Sequence, residues 1–312
     1  MSFIYSNLSC IGYVLIKKIK IINANAISSP LTYGFPAITG FTGAVHALSR
    51  KVSQIDGLDD VRLDGVLIAC HECQVQTYRE SSYKDFTFIQ TRNPLKKDGK
   101  TASIIEEGRC HLTVSLVIGI YADDYLEDEQ VELLNNKVKD LIQQQRIAGG
   151  SVMGLDKFEP VSFLEQEDIS KFVPKLLPAF VLTDAHDSLQ AITQQLQAKN
   201  PNATALDALL ETATLHHVPN DEHGSSWSVE SVKKGRGWLV PIPVGYQGIS
   251  PKFDAGQMQN ARNSEYPSQY VEAIYSLGKW VFPYSIEKLA TALWYQRYDE
   301  TQDLYLVSHK SD

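Results

Sequence analysis

Four cysteines and a few histidines are the side chains of this 312-residue sequence whose chemistry can be weighed first. "CHEC", from Cys70 to Cys73, reads as half a zinc site, and Cys110-His111 as the other half, because thiolates and imidazoles are the usual ligands of tetrahedral zinc. The spacing opposes this reading. Side chains three apart on a strand point to opposite faces, so both thiolates reach one metal only where the strand breaks. No metal and no other cofactor is therefore expected. His46 stands in an apolar, helix-spaced run. A metal-independent ribonuclease can use one histidine as the base that activates a ribose 2′-OH, and the alternative is a helix histidine packed at the rim of a sheet. His216, His217 and His223 share a polar stretch with Asp221 and Glu222, which reads as a solvated loop. No Ser-His-Asp arrangement and no phosphate loop can be read, and the glycines of "RGWLVPIPVGYQG" lack dinucleotide-binding spacing. No catalytic residue is assigned.

What remains is the vocabulary of a binder. Arg92, Lys96, Lys97, Lys100 and Arg109 outnumber Asp98, Glu106 and Glu107 around an Asp98-Gly99 turn. Lys233, Lys234 and Arg236 precede Trp238, and Gln247 follows within "VGYQG". Cations take phosphates, a ring stacks a base, and glycine lets main-chain N–H groups come close, which suits a bent single strand. Lysines are also common at solvated hairpin tips, and the residues alone leave both readings open. "INANAISSPLTYGFPAITGF" is a polar hinge, with Asn25, Ser28, Ser29 and Thr32 ahead of Gly34 and Pro36. Its hydroxyls and amides near a helix N-terminus would favour an anion.

These groups must be positioned by an α+β fold. "GYVLIKKIKIINANA" reads as a first strand. Phe35, Ile38, Phe41, Val45, Leu48 and Val52 recur at spacings of three and four and predict a helix over about 36–52. "VRLDGVLIACHECQVQTY" is a second strand, two short runs around Asp98-Gly99 are a hairpin, and "CHLTVSLVIGIY" is a third strand. "YLEDEQVELLNNKVKDLIQQQRIAG" is an amphipathic helix, and "GGSVMGLDKFEPVSFL" supplies a fourth strand. The order βαββαβ points to a ferredoxin-like or RNA-recognition-type core over residues 13–165, with a hairpin inserted at about 80–109. Residues 166–220 read as a helical region built from "FVPKLLPAFVL", "SLQAITQQLQAK" and "ATALDALLETATL". Residues 221–312 read as a Gly-rich hairpin, "SWSVESVKKGRGWLVPIPVGYQGIS", then further β/α elements with a closing helix and strand. The aromatics Trp280, Phe282, Trp294 and Tyr295 exceed what one small core needs and suggest an interface.

The net charge of −8 counts against a nucleic-acid binder, although local clustering rather than the total sets the field at a site. Four cysteines are too few for a disulfide scaffold and read as reduced, in a cytoplasmic protein. No run approaches the roughly 18–20 apolar residues of a membrane span.

Five long segments carry a family resemblance: "INANAISSPLTYGFPAITGFTGAVHAL", "TRNPLKKDGKTASIIEEGRCHLTVSL", "QRIAGGSV", "RGWLVPIPVGYQGIS" and "SEYPSQYVEAIYSLGKWVFP". Together they resemble the second Csy subunit, the Cas-five-type protein of type I-F CRISPR surveillance complexes, from about residue 13 onward. The resemblance implies a ferredoxin-like core with a thumb-like hairpin. It implies a subunit that grips the 5′ handle of the CRISPR RNA, pairs with the large subunit at the complex tail and touches the backbone subunit. Target DNA is then met only through the assembled complex. Guide processing belongs to another subunit in such systems, so a non-catalytic role is expected. The competing readings are an endoribonuclease using His46 and a protein-only scaffold.

Overall fold

Alternating β-branched residues build a 17-residue strand, β1 (Ser9–Asn25), in the computed structural model, which describes residues 8–164, 172–221, 226–261 and 263–309, apart from the side chains of residues 90–92 and 105–106. The chain then makes a small hairpin, β2 (Ile27–Ser29) and β3 (Thr32–Tyr33), before helix α1 (Thr39–Val52). Strand β4 (Arg62–Val75) leads into two short ladders, β5 (Thr77–Tyr78) with β6 (Thr87–Phe88), and β7 (Gln90–Arg92) with β8 (Ile104–Glu106). Strand β9 (Arg109–Ala122) returns, followed by α2 (Asp128–Gln143), β10 (Arg146–Ile147), β11 (Gly150–Gly154) and β12 (Val161–Leu164).

The second half adds β13 (Phe180–Asp184), α3 (His186–Gln197), α4 (Ala205–Ala213), β14 (His216–Pro219) and β15 (Trp227–Glu230). It ends with β16 (Trp238–Gly248), β17 (Val271–Val281), β18 (Tyr295–Asp299) and β19 (Leu304–Ser308). Among the described residues, eleven strands join one sheet in the order β10-β11-β1-β9-β4-β13-β17-β16-β19-β18, with β12 also on β1. Neighbouring strands run antiparallel.

Both faces of the central strands are covered, which explains their apolar runs. On one face, Phe41, Val45, Leu48 and Val52 of α1, with Leu134, Val138 and Ile142 of α2, pack against Val14, Ile16, Leu116 and Ile118. Each such side chain, fully buried, contributes about 1.5–3 kcal/mol relative to exposure. On the other face, Tyr13, Leu15, Leu67, Val117 and Tyr121 lie under Phe172, Leu176, Ile286, Leu289 and Leu293. A third cluster seats Leu189, Ile192 and Leu209 on Leu239 and Leu277. Among the described residues, no helix is long and apolar enough to cross a membrane.

Several expectations for the second half are corrected. "FVPKLLPAFVL" is a short 3-10 turn at Val173–Leu176 followed by β13, which lies between β4 and β17. Pro174 and Pro178 lack the N–H groups a helix needs. Val181 and Leu182 are 0% and 1% exposed in neighbouring positions of a central strand, an apolar run that periodicity cannot tell from a helix. β15 pairs with β14, not with β16, so the expected Gly-rich hairpin does not form. His216 and His217 therefore lie in a ladder rather than a loop, while His223 and Glu222 fall outside the described residues. The expected closing helix is two 3-10 turns, Pro283–Ser285 and Ala290–Ala292, before a β18–β19 hairpin. Trp294 and Tyr295 are core residues, 0% and 2% exposed, whereas Phe282 is 47% exposed. Burial of the Trp294 indole is completed by a 2.8 Å bond from its Nε1–H to the Leu182 carbonyl.

Candidate nucleic-acid interface

The polar hinge folds on itself. The Asn25 Oδ1 accepts the Ile27 amide at 3.2 Å and its Nδ2 donates to the Ile27 carbonyl at 2.9 Å, an Asx-type turn that ends β1. The Thr32 hydroxyl lies 2.7 Å from that of Ser28 and 2.6 Å from that of Ser29. Ser29 Oγ also accepts the amides of Leu31 and Thr32 at 3.2 and 3.1 Å. These hydroxyls hold the β2–β3 turn in shape, and what the turn presents is mainly its walls.

Those walls bound a chain of adjoining cavities. One of about 450 Å³ is lined by Asn25, Ser28, Pro36, Gly40, Arg146 and Gly149, with Tyr246 opposite. It shares Asn25, Arg146 and Gly149 with a cavity of about 570 Å³ that also touches Glu107 and Arg109. It shares Ser28 and Pro36 with one of about 200 Å³ lined by Thr32, Tyr33, Phe35, Trp238 and Trp280. Phe35, Trp238 and Trp280 continue into a space of about 340 Å³ beside His71, Cys73 and Phe180. The result is a groove with a cationic end and an aromatic end.

At the cationic end, the Arg146 guanidinium donates to the Gly149 carbonyl and stays exposed. Arg109 is paired with Glu107 and reaches the Asn23 carbonyl at 3.4 Å. The first turn of α1 lines the groove through Thr39 and Gly40, and has no acidic residue and no side-chain cap. The positive end of the helix dipole therefore faces the space with no acidic side chain in its own first turn. Gly40 is required for this approach, since a Cβ there would lie 2.9 Å from the Ala148 Cα.

At the aromatic end, Trp238 stands opposite Trp280 in the β16–β17 register and is 55% exposed. It meets Phe180 edge-on at 5.4 Å, and Phe35 meets Trp280 edge-on at 5.0 Å. In such a pair one ring's edge covers part of the other's face, and Phe35 also stacks on Phe41 at 5.6 Å, so Trp238 is the groove ring with the most surface open to a base. His71 is fixed between the Pro178 carbonyl and the Ser115 hydroxyl, 2.7 Å from each. Burial holds its pKa below the ordinary value, so the imidazole is neutral at physiological pH.

The groove thus brings together Asn25, Ser28, Thr32, Arg109 and Trp238. Other expected residues lie elsewhere. Lys96, Lys97 and Lys100 are exposed at the tip of the inserted hairpin, where the Lys96 amide bonds the Lys100 carbonyl at 3.0 Å. The Arg92 backbone is in β7, and its side chain falls outside the described residues. Lys233 and Lys234 occupy the turn before β16, and Arg236 ties that turn to α3 through Gln195 Oε1 at 3.0 Å. Gln247 is exposed on β16, one residue past Tyr246. His46 is exposed on α1, where Gly43, Ala44 and Ala47 line the groove instead. Cys73 and Cys110 share a hydrogen bond across β4 and β9, which pushes the buried Cys110 thiol up and Cys73 down. Among the described residues, no three His, Cys, Asp or Glu side chains are grouped to hold a metal.

Sequence reasoning misses Arg146, and it names Phe35 only as a helix-spaced apolar residue, Tyr33 only as part of the hinge and Trp280 only as an interface aromatic. A cation directly before "IAGG" and an aromatic between Gly34 and Pro36 were the available signals.

The family model for CRISPR-associated protein (Cas_Csy2) matches residues 14–307. A relative described as CRISPR-associated protein Csy2, from Pseudomonas aeruginosa (strain UCBPP-PA14), is 37% identical over 311 aligned residues, covering 94% of this chain and 93% of its own. Most of the segments that form the groove are those that carried the resemblance in the sequence, and with nearly the whole length matched, the chain belongs to the Csy2 family of type I-F CRISPR-associated proteins.

Proposed function

We propose that the protein is a non-catalytic, RNA-binding subunit of a cytoplasmic type I-F surveillance complex, gripping the 5′ handle of the CRISPR RNA in this groove. On this reading it docks the large subunit at the complex tail and touches the backbone subunit, and target DNA reaches it only through the assembled complex. The observation that carries the reading is the groove itself, with Arg109, Arg146 and the α1 N-terminus at one end and Trp238 and Trp280 at the other. Phosphates suit the first end and bases the second. The core reads as ferredoxin-like, supported by the order β11-β1-β9-β4 with α1 joining β1 to β4 and α2 joining β9 to β11. The β5–β8 insertion then serves as the thumb.

Titration of labelled handle RNA across a range of salt tests the reading. Arg146→Gln and the double change Lys96→Glu with Lys97→Glu should each weaken binding. Each lost phosphate contact should flatten the log–log salt slope by about 0.7. Affinity and slope unchanged in both variants would reject the groove and the thumb as RNA contacts.

A further inference from the structure

The turn between β11 and β12 presents an aromatic ring that the groove does not use. Phe158 is 96% exposed. Its turn is held by six hydrogen bonds, three of them to Lys17 in the irregular stretch of β1. The Asp156 Oδ1 accepts the amides of Phe158 and Glu159 at 3.0 and 3.3 Å. The Asp156 amide donates to the Lys17 carbonyl at 3.0 Å, and the Lys17 amide to the Pro160 carbonyl at 2.8 Å. The Glu159 carboxylate bridges Lys17 Nζ at 2.9 Å and Lys175 Nζ at 3.1 Å. A ring turned to water on such a turn is already ordered, so little conformational freedom is lost when something stacks on it.

The surroundings are cationic although the whole chain is acidic. Lys157 is the neighbour of Phe158, and Lys18 and Lys20 are exposed on β1, with Lys20 paired to Gly154 at the start of the turn. Lys18 sits at positive φ (46°), with its amide on the Ser115 hydroxyl at 3.0 Å, in a bulge that turns the strand's side chains outward. Both carboxylates of the turn are engaged in holding it. Among the described residues, no ion pair neutralises Lys18, Lys20 or Lys157.

We propose that Phe158, Lys157, Lys18 and Lys20 form a second binding site, away from the groove's cationic end, for single-stranded nucleic acid. The ring takes a base face and the lysines take phosphates. An acidic protein segment would use the charges, but it would not need a flat ring held open to solvent. Asn25, at the cationic end of the groove, is seven residues along β1 from Lys18, or roughly 20 Å at the usual rise of a strand, whereas Lys18 shares the Ser115 hydroxyl with His71 beside the aromatic end. The phosphate contacts proposed at Lys18 and Lys20 are therefore distinct from those at Arg109 and Arg146.

The test is binding of labelled oligo(dT) and oligo(U) to the full chain, with melting temperatures measured on every variant. Phe158→Ala should weaken binding roughly tenfold, within the range of one lost base stack, and Phe158→Tyr should restore it. Lys18→Glu with Lys20→Glu should weaken binding and flatten the salt slope by about 0.7 per lost contact. Irradiation should cross-link Phe158 to the oligonucleotide. The comparison is repeated in the Arg146→Gln background: that change weakens only the groove, so the further loss caused by Phe158→Ala should be of the same size there, and failure of one site is distinguishable from failure of the other. The proposal is overturned if wild type does not bind, if Phe158→Ala binds like wild type, or if only Arg146→Gln reduces binding. It is also overturned if Phe158→Ala keeps oligonucleotide affinity but releases a protein from the purified complex, which would make the ring a protein anchor.

Discussion

Trp238 and Trp294 have similar neighbours in sequence and opposite roles in the molecule. Leu239 and Leu293 flank them, yet Trp238 is 55% exposed beside the groove and Trp294 is 0% exposed within the core. Trp238→Ala should cost about 1–3 kcal/mol of RNA affinity, the range of one base–aromatic stack, with little loss of melting temperature. Trp238→Phe should recover much of that affinity, because either ring offers a face. Trp294→Ala should instead lower stability by about 3–5 kcal/mol, as for other buried tryptophans, and leave RNA affinity per folded molecule unchanged. Melting and RNA titration on both variants decide the assignment: loss of stability alone at Trp238 would return it to the core.

The inserted hairpin has little packing of its own. Its ladders are two and three residues long, and Tyr83 and Phe86 are 97% and 64% exposed. Two-stranded ribbons of this kind are marginal in water, so their direction depends on the root. There, Phe88 stacks on Tyr33 at 3.7 Å, and the Ala26 amide bonds the Gly108 carbonyl at 2.9 Å. Gly108 admits the Tyr33 ring, since a Cβ would lie 2.4–2.5 Å from its atoms. Gly108→Ala should therefore release the hairpin from the β2–β3 turn. Faster limited proteolysis between residues 80 and 104 and weaker handle binding are expected, with the overall melting temperature nearly unchanged. Cleavage at the wild-type rate would show that the root does not set the hairpin.

At the scale of the molecule, the C-terminal strand closes the core over Trp294, and His309 meets that indole edge-on at 4.3 Å. Burial holds the His309 pKa down to about 4, from an ordinary 6.5. The folded chain thus keeps the ring neutral while the unfolded chain protonates it near 6.5. Its contribution is complete above that pH and is lost as pH falls toward 4. The melting temperature should decline through this window, and His309→Phe should flatten the decline while keeping the ring contact. An equal decline in the variant would assign the effect to other groups.

Local pattern alone reveals β1, β4, β9, α1 and α2, because each helix is long enough to show its repeat and each strand long enough to show a β-branched apolar run. Asp98-Gly99 likewise marks a hairpin tip from local backbone preference, and Gly99 adopts the positive φ (76°) that glycine permits. Asn25, Ser28, Thr32, Arg109 and Trp238 were legible as binding chemistry by type. Their convergence was not, because β13, β17 and β16 join the sheet through pairings between residues far apart in sequence. The same pairings bury Trp294 and leave Trp238 at the groove. Local sequence sets the propensity of each element, whereas the side that an aromatic shows to water depends on which distant strand lies beside it.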